Sequence, residues 1–267
     1  MTKILLTGAA GGVAQMIRPL LREAYDHLVL SDVAPVAGLA PGERFVEADL
    51  TDIDAVRTAC HGVNGIIHLG GQSVEAHWPT VLQSNVVGLW NLFEAARLEG
   101  VPRVVFASSN HAIGFYGRER RIGVDHRVRP DGLYGVSKAF GEGLGSLYAD
   151  KYAMRVLSLR IGHVAFAPAD VRRLSIWLHP DDLVQLCRIG LEHPDLRNEV
   201  FWGASDNTRS WWDNEPAFRF GYRPRHRSED QAEHAYAEQA KLAVDPVAER
   251  FQGGPFCSQA GYVEPQD

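Results

Sequence analysis

The sequence contains few cysteines, and they form no recognisable group. Cys60, Cys187 and Cys257 lie far apart, and none belongs to a CxxC pair. This spacing supports neither a disulfide framework nor a zinc site, and it suits a reducing compartment. The eleven histidines form no HExxH or comparable ligand pair, so we predict no metal.

Long apolar runs and basic runs are also missing. No segment approaches the ~18–20 apolar residues of a membrane span, and the N-terminal MTKILLTG is too short for a signal peptide. We therefore expect a cytoplasmic protein that does not bind membranes. The formal net charge is −6, which argues against nucleic acid as a partner. An anionic substrate would have to be held by local cations.

Short apolar runs alternate with helical patterns over the first 160 or so residues. Several runs are apolar at consecutive positions, as in strands that are buried on both faces. This alternation predicts an α/β fold, a Rossmann-type doubly wound parallel sheet. The predicted strands are Lys3–Thr7, His27–Ser31, Arg44–Val46, Gly65–Leu69, Arg103–Ala107 and Arg155–Arg160.

One predicted helix has a regular apolar spacing. Its apolar residues fall at i, i+4, i+7, i+11 and i+14, which places them on one face. They are Leu82, Val86, Leu89, Phe93 and Ala96. Gly100 and Pro102 then predict the end of that helix.

The alternation of apolar runs and helical patterns ends after about residue 165. Prolines punctuate shorter elements there, and four tryptophans crowd the region: Trp177, Trp202, Trp211 and Trp212. We interpret residues 1–165 as a Rossmann domain. Residues 166–267 are then a small C-terminal substrate-capping region packed on the same unit.

A glycine-rich turn joins the first strand to the first helix in the segment TGAAGGVA, residues 7–14. Gly8, Gly11 and Gly12 would let the backbone approach a pyrophosphate at the helix N-terminus. Ala14 stands where the usual motif has its third glycine. The position of this turn favours a dinucleotide site over a simple tight turn.

Asp32 lies at the end of the second predicted strand. A carboxylate there accepts hydrogen bonds from a ribose 2′-hydroxyl and repels a 2′-phosphate. No arginine follows immediately, so NAD is favoured over NADP as the ligand of the Rossmann domain. Asp49 and Leu50 would flank the adenine, and the turn 69–71 would lie close to the dinucleotide.

The strongest chemical signal is the segment Tyr134-Gly-Val-Ser-Lys138. Residues i and i+4 share a helix face, so Lys138 can stand beside the Tyr134 hydroxyl. Its ammonium is expected to lower the tyrosine pKa from about 10, which would make Tyr134 a general base. Ser109 ends a buried strand at the edge where open α/β sheets place their sites.

These residues resemble the extended short-chain dehydrogenase/reductase superfamily, and more closely the bacterial uronate dehydrogenases. The similar segments span nearly the whole chain: HLGGQSVE (68–75), FASSNHAIGFY (106–116), RPDGLYGVSKAFGE (129–142), RIGH (160–163) and WWDNEPAF (211–218). The resemblance implies oxidation of D-galacturonate and D-glucuronate at C1 to aldarolactones, with NAD as cofactor.

The resemblance also implies roles for individual residues. Tyr134 is the proton acceptor, with Lys138 and Ser109 completing the catalytic set. The cofactor positions are Gly8, Gly11, Gly12, Val13, Asp32, Val33, Asp49, Leu50, Leu69, Gly70, Gly71 and Lys138. The substrate positions are Ser73, Ser109, Asn110, His111, His163 and Arg172, although the family often has a serine where this chain has His163.

A uronate carries a carboxylate, and Arg172 offers a planar fork suited to it. Its neighbour Arg173 is the alternative for this role. A nucleotide-sugar epimerase or dehydratase and a non-catalytic NAD sensor are the competing functions. The first would retain bound NAD, and the second should lack the tyrosine–lysine pair. We also expect a homo-oligomer.

Overall fold

Within the part of the chain that the computed structural model describes, residues 2–259 and 261–264, seven parallel strands form one sheet. Its strands are β1 Lys3–Thr7, β2 His27–Asp32, β3 Glu43–Glu47, β4 Gly65–His68, β5 Arg103–Ser109, β6 Arg155–Ile161 and β9 Asn198–Gly203. Their order is β3-β2-β1-β4-β5-β6-β9, and a separate pair joins β7 His163–Val164 to β8 Trp177–Leu178. The Rossmann-type sheet is confirmed, and the six predicted strands agree to within two residues at each end.

Helices cover both faces of this sheet. The α-helices of the described residues are α1 Gly12–Ala24, α2 Ile53–Cys60, α3 Trp78–Val81, α4 Gly88–Leu98, α5 Leu133–Tyr152, α6 Pro180–Glu192, α7 Glu215–Arg219, α8 Ala232–Gln239 and α9 Pro246–Arg250, and α1, α2, α4, α5 and α6 supply the layers on the sheet. Ile4 and Leu6 face the core under α1 and α6, whereas Leu5 between them faces the core under α2, α4 and α5. Two buried faces explain why the strands read as unbroken apolar runs. Among the described helices, none combines the length and apolar character needed to cross a bilayer.

The predicted helix over 82–96 contains a change of register. A π-helical segment, Leu82–Val87, joins α3 to α4. Its wider turn shifts the buried face by one residue. Leu89 and Phe93 are buried as predicted, but Asn85 takes the inward position expected for Val86, which is only half-buried. Gly100, at φ +70°, follows the end of α4 as predicted.

The chain after residue 165 contributes to the sheet itself, because β9 pairs with β6 and α6 packs on the β1 side of the core. The sequence analysis missed β9, whose first three residues are polar or half-buried at the sheet edge. Trp177, Trp202 and Trp212 are buried. The rings of Trp202 and Trp212 stack at 4.5 Å between centres, which makes them core residues.

Candidate active site

A cleft of about 450 Å³ opens at the carboxyl ends of β1, β2 and β4. This is where open α/β sheets bind ligands. Eleven of the predicted cofactor residues line it: Gly8, Gly11, Gly12, Val13, Asp32, Val33, Asp49, Leu50, Leu69, Gly70 and Gly71. Ser73 lies at the same cleft, whereas Lys138 is not among its lining residues.

Gly8 brings two loops of the cleft together. Its φ is +67°, and a Cβ there would lie 2.7 Å from the Gly70 nitrogen, so no side chain fits. The turns after β1 and β4 therefore meet through backbone alone. A surface of bare peptide groups at the start of α1 is suited to a pyrophosphate.

Asp32 is held at the end of β2 by two backbone amides. The nitrogen of Ala10 donates to Oδ2 at 3.0 Å, and that of Ala34 donates to Oδ1 at 3.1 Å. A carboxylate has about four acceptor sites, so both oxygens retain capacity for ribose hydroxyls. The residues of the cleft fit a dinucleotide with a free 2′-hydroxyl.

Tyr134 and Lys138 occupy one face of the first turns of α5, as their spacing predicts. Both side chains are buried. The Lys138 ammonium donates to the Ala107 carbonyl at 2.8 Å and lies 5.3 Å from the centre of the Tyr134 ring. Ser109, at the end of β5, hydrogen-bonds the Tyr134 side chain. The three predicted catalytic residues therefore come together.

The expectation that Lys138 lowers the pKa of Tyr134 is wrong, because this pKa is raised. Burial disfavours the phenolate and raises the pKa of Tyr134 to about 12, although the hydrogen bond from Ser109 lowers it and the charge of Asp131 adds to the rise. Burial also lowers the pKa of Lys138 to about 8. Desolvation, which the i, i+4 spacing does not reveal, is the largest cause of both pKa shifts.

Two residues that fix the site were missed by the sequence analysis. Asn85 accepts from the Gln72 nitrogen at 2.7 Å and donates to the Ser137 hydroxyl at 3.0 Å. It thereby ties the loop after β4, which lines the cofactor cleft, to α5. The signal was available, because an asparagine stands four residues from Val81 and Leu89 on the buried face.

Glu75 makes a second link between that loop and α5. Its two carboxylate oxygens accept from the nitrogens of Leu133 and Tyr134 at 3.0 and 2.9 Å. It acts as a distant cap for a helix whose own N-cap, Gly132, has no side chain. These partners are 58 and 59 residues away, so no local pattern indicates the contact.

Arg172 lies in a 3-10 turn over Arg172–Ser175 and faces the C-terminal segment. Its Nε and Nη2 donate to the Gln252 carbonyl at 3.0 and 2.6 Å. Among the described residues it forms no ion pair, whereas Arg173 pairs with Asp170. Burial, followed by the neighbouring charges of Arg173 and Arg118, lowers the pKa of Arg172 to about 10. An additional anion would stabilise this guanidinium.

Asn110 connects Arg172 to the end of β6. With its amide oriented to satisfy both ends, it donates to the Ile161 carbonyl at 3.1 Å and accepts from Arg172 Nη2 at 3.3 Å. His163 lies in β7, where burial, followed by the charge of Arg173, lowers its pKa to about 4. Its buried Nδ1 has no hydrogen-bond partner within the described chain. The ring is therefore neutral at pH 7.

His111 stands between Tyr134 and the C-terminal segment. Its ring stacks on Phe256 at 3.7 Å between centres and meets the Tyr134 ring edge-on at 5.7 Å. Its Nδ1 lies 2.7 Å from the buried carboxylate of Asp131. Phe256 and Asp131 were not singled out by the sequence analysis, because no local pattern places them against His111.

One cluster outside this site has metal-ligating side chains. His179, Asp181 and His226 place ligand atoms within 4.8 Å of one another at the start of α6. The two imidazole rings stack at 3.5 Å, with 20° between their planes. An imidazole binds a metal in its own plane, so this stacked arrangement is unfavourable for a shared ion.

Comparisons with known proteins place the chain. The model of the NAD dependent epimerase/dehydratase family matches residues 4–174. The uronate dehydrogenase of Pseudomonas putida is 44% identical over 95% of each chain.

Solved structures agree with this placement. The uronate dehydrogenase of Agrobacterium tumefaciens is 42% identical over 99% of each chain, with a TM-score of 0.93. The glucuronic acid dehydrogenase of Chromohalobacter salexigens is 44% identical over 97% of each chain, with a TM-score of 0.92. The chain therefore belongs to the NAD dependent epimerase/dehydratase family and, within it, to the uronate dehydrogenases.

Proposed function

We propose that this protein oxidises hexuronic acids, D-galacturonate and D-glucuronate, at C1 to the aldarolactone with NAD. The observation that carries the proposal is the position of Arg172. It is a half-buried cation with no ion pair in the described chain, and its Nη2 lies 3.3 Å from the side chain of Asn110, the residue after Ser109. The uronate dehydrogenases among its relatives support the same substrate class.

The proton chemistry rests on Tyr134. In the proposed reaction its phenolate removes the proton of the C1 hydroxyl. Ser109 lowers the pKa of Tyr134, and in this scheme its hydroxyl also binds the C1 oxygen of the substrate. NAD held in the cleft lined by Gly8, Gly12 and Asp32 would supply the acceptor for the hydride from C1. Lys138, fixed on the Ala107 carbonyl, supplies positive charge next to the tyrosine ring.

The substrate is held at its other end by Arg172. Its Nε and Nη2 are engaged by the Gln252 carbonyl, so Nη1 is the group left for a carboxylate oxygen. Arg173 is a weaker candidate because Asp170 already neutralises it. Asn110 and His111 lie where ring hydroxyls could be bound, and Ser73 and His163 are proposed as further contacts.

The cofactor is NAD in preference to NADP, because Asp32 would repel a 2′-phosphate. In this scheme residues 1–165 hold the dinucleotide, and residues 166–267 provide Arg172 and the segment that packs against it.

We further propose a homo-oligomer, supported by the exposed apolar side chains Trp90, Phe140 and Leu147 on α4 and α5. The three free, buried cysteines suit a cytoplasmic location.

The test is an NADH-formation assay with the purified protein. It compares D-galacturonate and D-glucuronate with galactose and glucose, each with NAD and with NADP. Activity on both uronates with NAD, and poor activity on the neutral sugars, is the expected result. Equal activity on neutral sugars would contradict a uronate-specific site. Tightly retained NAD without uronate activity would favour a nucleotide-sugar epimerase.

A further inference from the structure

Asp131 is a buried carboxylate that the scheme above does not use. Its side chain is fully shielded from solvent, and one oxygen, Oδ2, lies 2.7 Å from His111 Nδ1. The other oxygen, Oδ1, has no hydrogen-bond partner within the described chain. Burying a carboxylate with one unsatisfied oxygen costs stability. A carboxylate buried at this cost, in contact with a histidine that meets the Tyr134 ring, is a candidate for a functional role.

The surroundings of Asp131 leave the carboxylate little freedom. A Cβ added to Gly114 or to Gly253 would lie 1.9 Å from Oδ2. The Gly253 nitrogen donates to the Gly114 carbonyl at 2.9 Å. This hydrogen bond joins the two backbone segments that pack against the carboxylate. The Asp131 nitrogen donates to the His111 carbonyl at 3.3 Å, so backbone and side chain both tie this pair together.

The short contact with Asp131 bears on which nitrogen of His111 carries the proton. An ionised carboxylate only accepts hydrogen bonds, so Nδ1 must be the donor in a neutral ring. Nε2 is then a bare acceptor on the opposite edge of the ring. Among the described residues no group is bonded to Nε2, and the ring is held by Phe256 on its face and Tyr134 at its edge.

We propose that Asp131 is a positioning residue that fixes His111 as the Nδ1-protonated tautomer, so that Nε2 accepts a hydrogen bond from a substrate hydroxyl. The inference rests on the proposed function for the identity of the substrate. It adds a specificity rule: the sugar must present a hydroxyl hydrogen to His111 while its C1 hydroxyl faces Tyr134. Carboxylates orient ligating or catalytic histidines in the same way.

The first test needs no substrate. In protein labelled with ¹⁵N-histidine, nitrogen–proton correlations report which ring nitrogen is protonated, and His111→Gln assigns the signal. We expect the Nδ1-protonated form in the unmodified protein. In Asp131→Leu, which removes the acceptor at similar volume, the proton should move to Nε2. An Nε2-protonated His111 in the unmodified protein would overturn the proposal, whether or not uronates are substrates.

The second test uses turnover. Asp131→Leu should lower kcat/KM for uronate by roughly threefold to tenfold, the value of one neutral hydrogen bond. Asp131→Asn keeps an oxygen that can accept from Nδ1 and should restore most of that loss. NADH affinity should not change in either variant. Should the leucine variant fail to fold, the proposal is still tested by the tautomer of His111 in the unmodified protein and by kcat/KM of the asparagine variant.

Monodeoxy uronates identify the hydroxyl. The unmodified enzyme should oxidise one of these analogues more slowly than the parent uronate. Asp131→Leu should oxidise that analogue and the parent uronate at equal rates, since the hydrogen bond between His111 and this hydroxyl is already absent in the variant. Full additivity for every analogue would contradict the proposal. Glu99→Leu is the matched control, because Glu99 forms a similar 3.0 Å pair with the exposed His61 and should leave kinetics unchanged.

Discussion

The cofactor side and the proposed substrate side of this site are built in different ways. The cofactor cleft consists largely of backbone turns after β1, β2 and β4, with Gly8 allowing two loops to touch. The substrate side depends on side chains that meet from distant parts of the chain. Arg172 is held by the carbonyl of Gln252, 80 residues away.

Gln252 shows how the substrate side is stabilised. It is fully buried, and its side chain donates to the carbonyls of Gly117 and Arg120 at 3.0 and 2.8 Å. It also accepts from the Trp212 indole at 3.0 Å. A satisfied buried amide of this kind fixes the C-terminal segment, and with it Arg172, in one arrangement. Local motifs therefore form one half of the site, and tertiary contacts form the other.

Tyr134 belongs to neither half. In the proposed reaction it acts on the C1 hydroxyl of the substrate, at the place where substrate and cofactor meet. Tyr134→Phe keeps the ring and removes only the hydroxyl, so both sides should still bind their ligands. Loss of general acid–base catalysis lowers kcat by roughly 10²–10⁴-fold. Stopped-flow or steady-state NADH formation measures kcat, and NADH fluorescence measures binding. Tyr148→Phe, on the same helix but bonded to Glu94, is the control that should remain near normal. Near-normal turnover in Tyr134→Phe would place the base elsewhere.

Arg172→Ala should damage the substrate side alone. Losing a charge-assisted hydrogen bond costs roughly 1.5–3 kcal/mol, which is about 10–150-fold in kcat/KM. The loss should appear for uronates and hardly at all for the matching neutral sugars, while KM for NAD stays the same. Arg173→Ala is the matched control, because Asp170 already pairs with it. An equal loss on uronate and neutral sugar would make Arg172 structural.

Asp32→Asn should damage the cofactor side alone. The amide oxygen can still accept from Ala10, so the glycine-rich turn keeps its contact while the negative charge is lost. We expect the preference for NAD over NADP to fall by roughly tenfold or more, since repulsion of the 2′-phosphate disappears. The ratio of kcat/KM for the two cofactors is the measurement. An unchanged ratio would mean that another group selects the cofactor.

Ser109→Ala should have the smallest effect and is best seen in a pH profile. The hydrogen bond from Ser109 lowers the pKa of Tyr134. Without it the pKa rises, so a smaller fraction of Tyr134 is deprotonated at any given pH. The acid limb of kcat/KM should therefore move to higher pH, with a loss of about threefold to tenfold at pH 7. Ser109→Thr keeps a hydroxyl and should keep the profile. An unshifted limb in the alanine variant would limit Ser109 to substrate binding.

The sequence predicted those features that depend on neighbouring residues. The glycine turn, the end of β2 at Asp32 and the tyrosine–lysine pair on α5 are all local, and the structure has them where they were expected. The π-helical segment was not predicted, because it only shifts the buried face of the helix by one residue. The helix is apolar on its buried face both before and after this segment. The edge strand β9 was missed because half of it is polar.

By itself, the sequence determined six of the seven sheet strands and the dinucleotide cleft, and it predicted Tyr134 as the reacting residue. Periodicity and backbone freedom are properties of short segments, so these features can be read without knowing the fold. Only the tertiary structure decided that burial raises the pKa of Tyr134, that Gln252 holds Arg172, and that Asp131 faces His111. Those contacts depend on desolvation and on residues 20 to 80 positions apart, which no local pattern encodes.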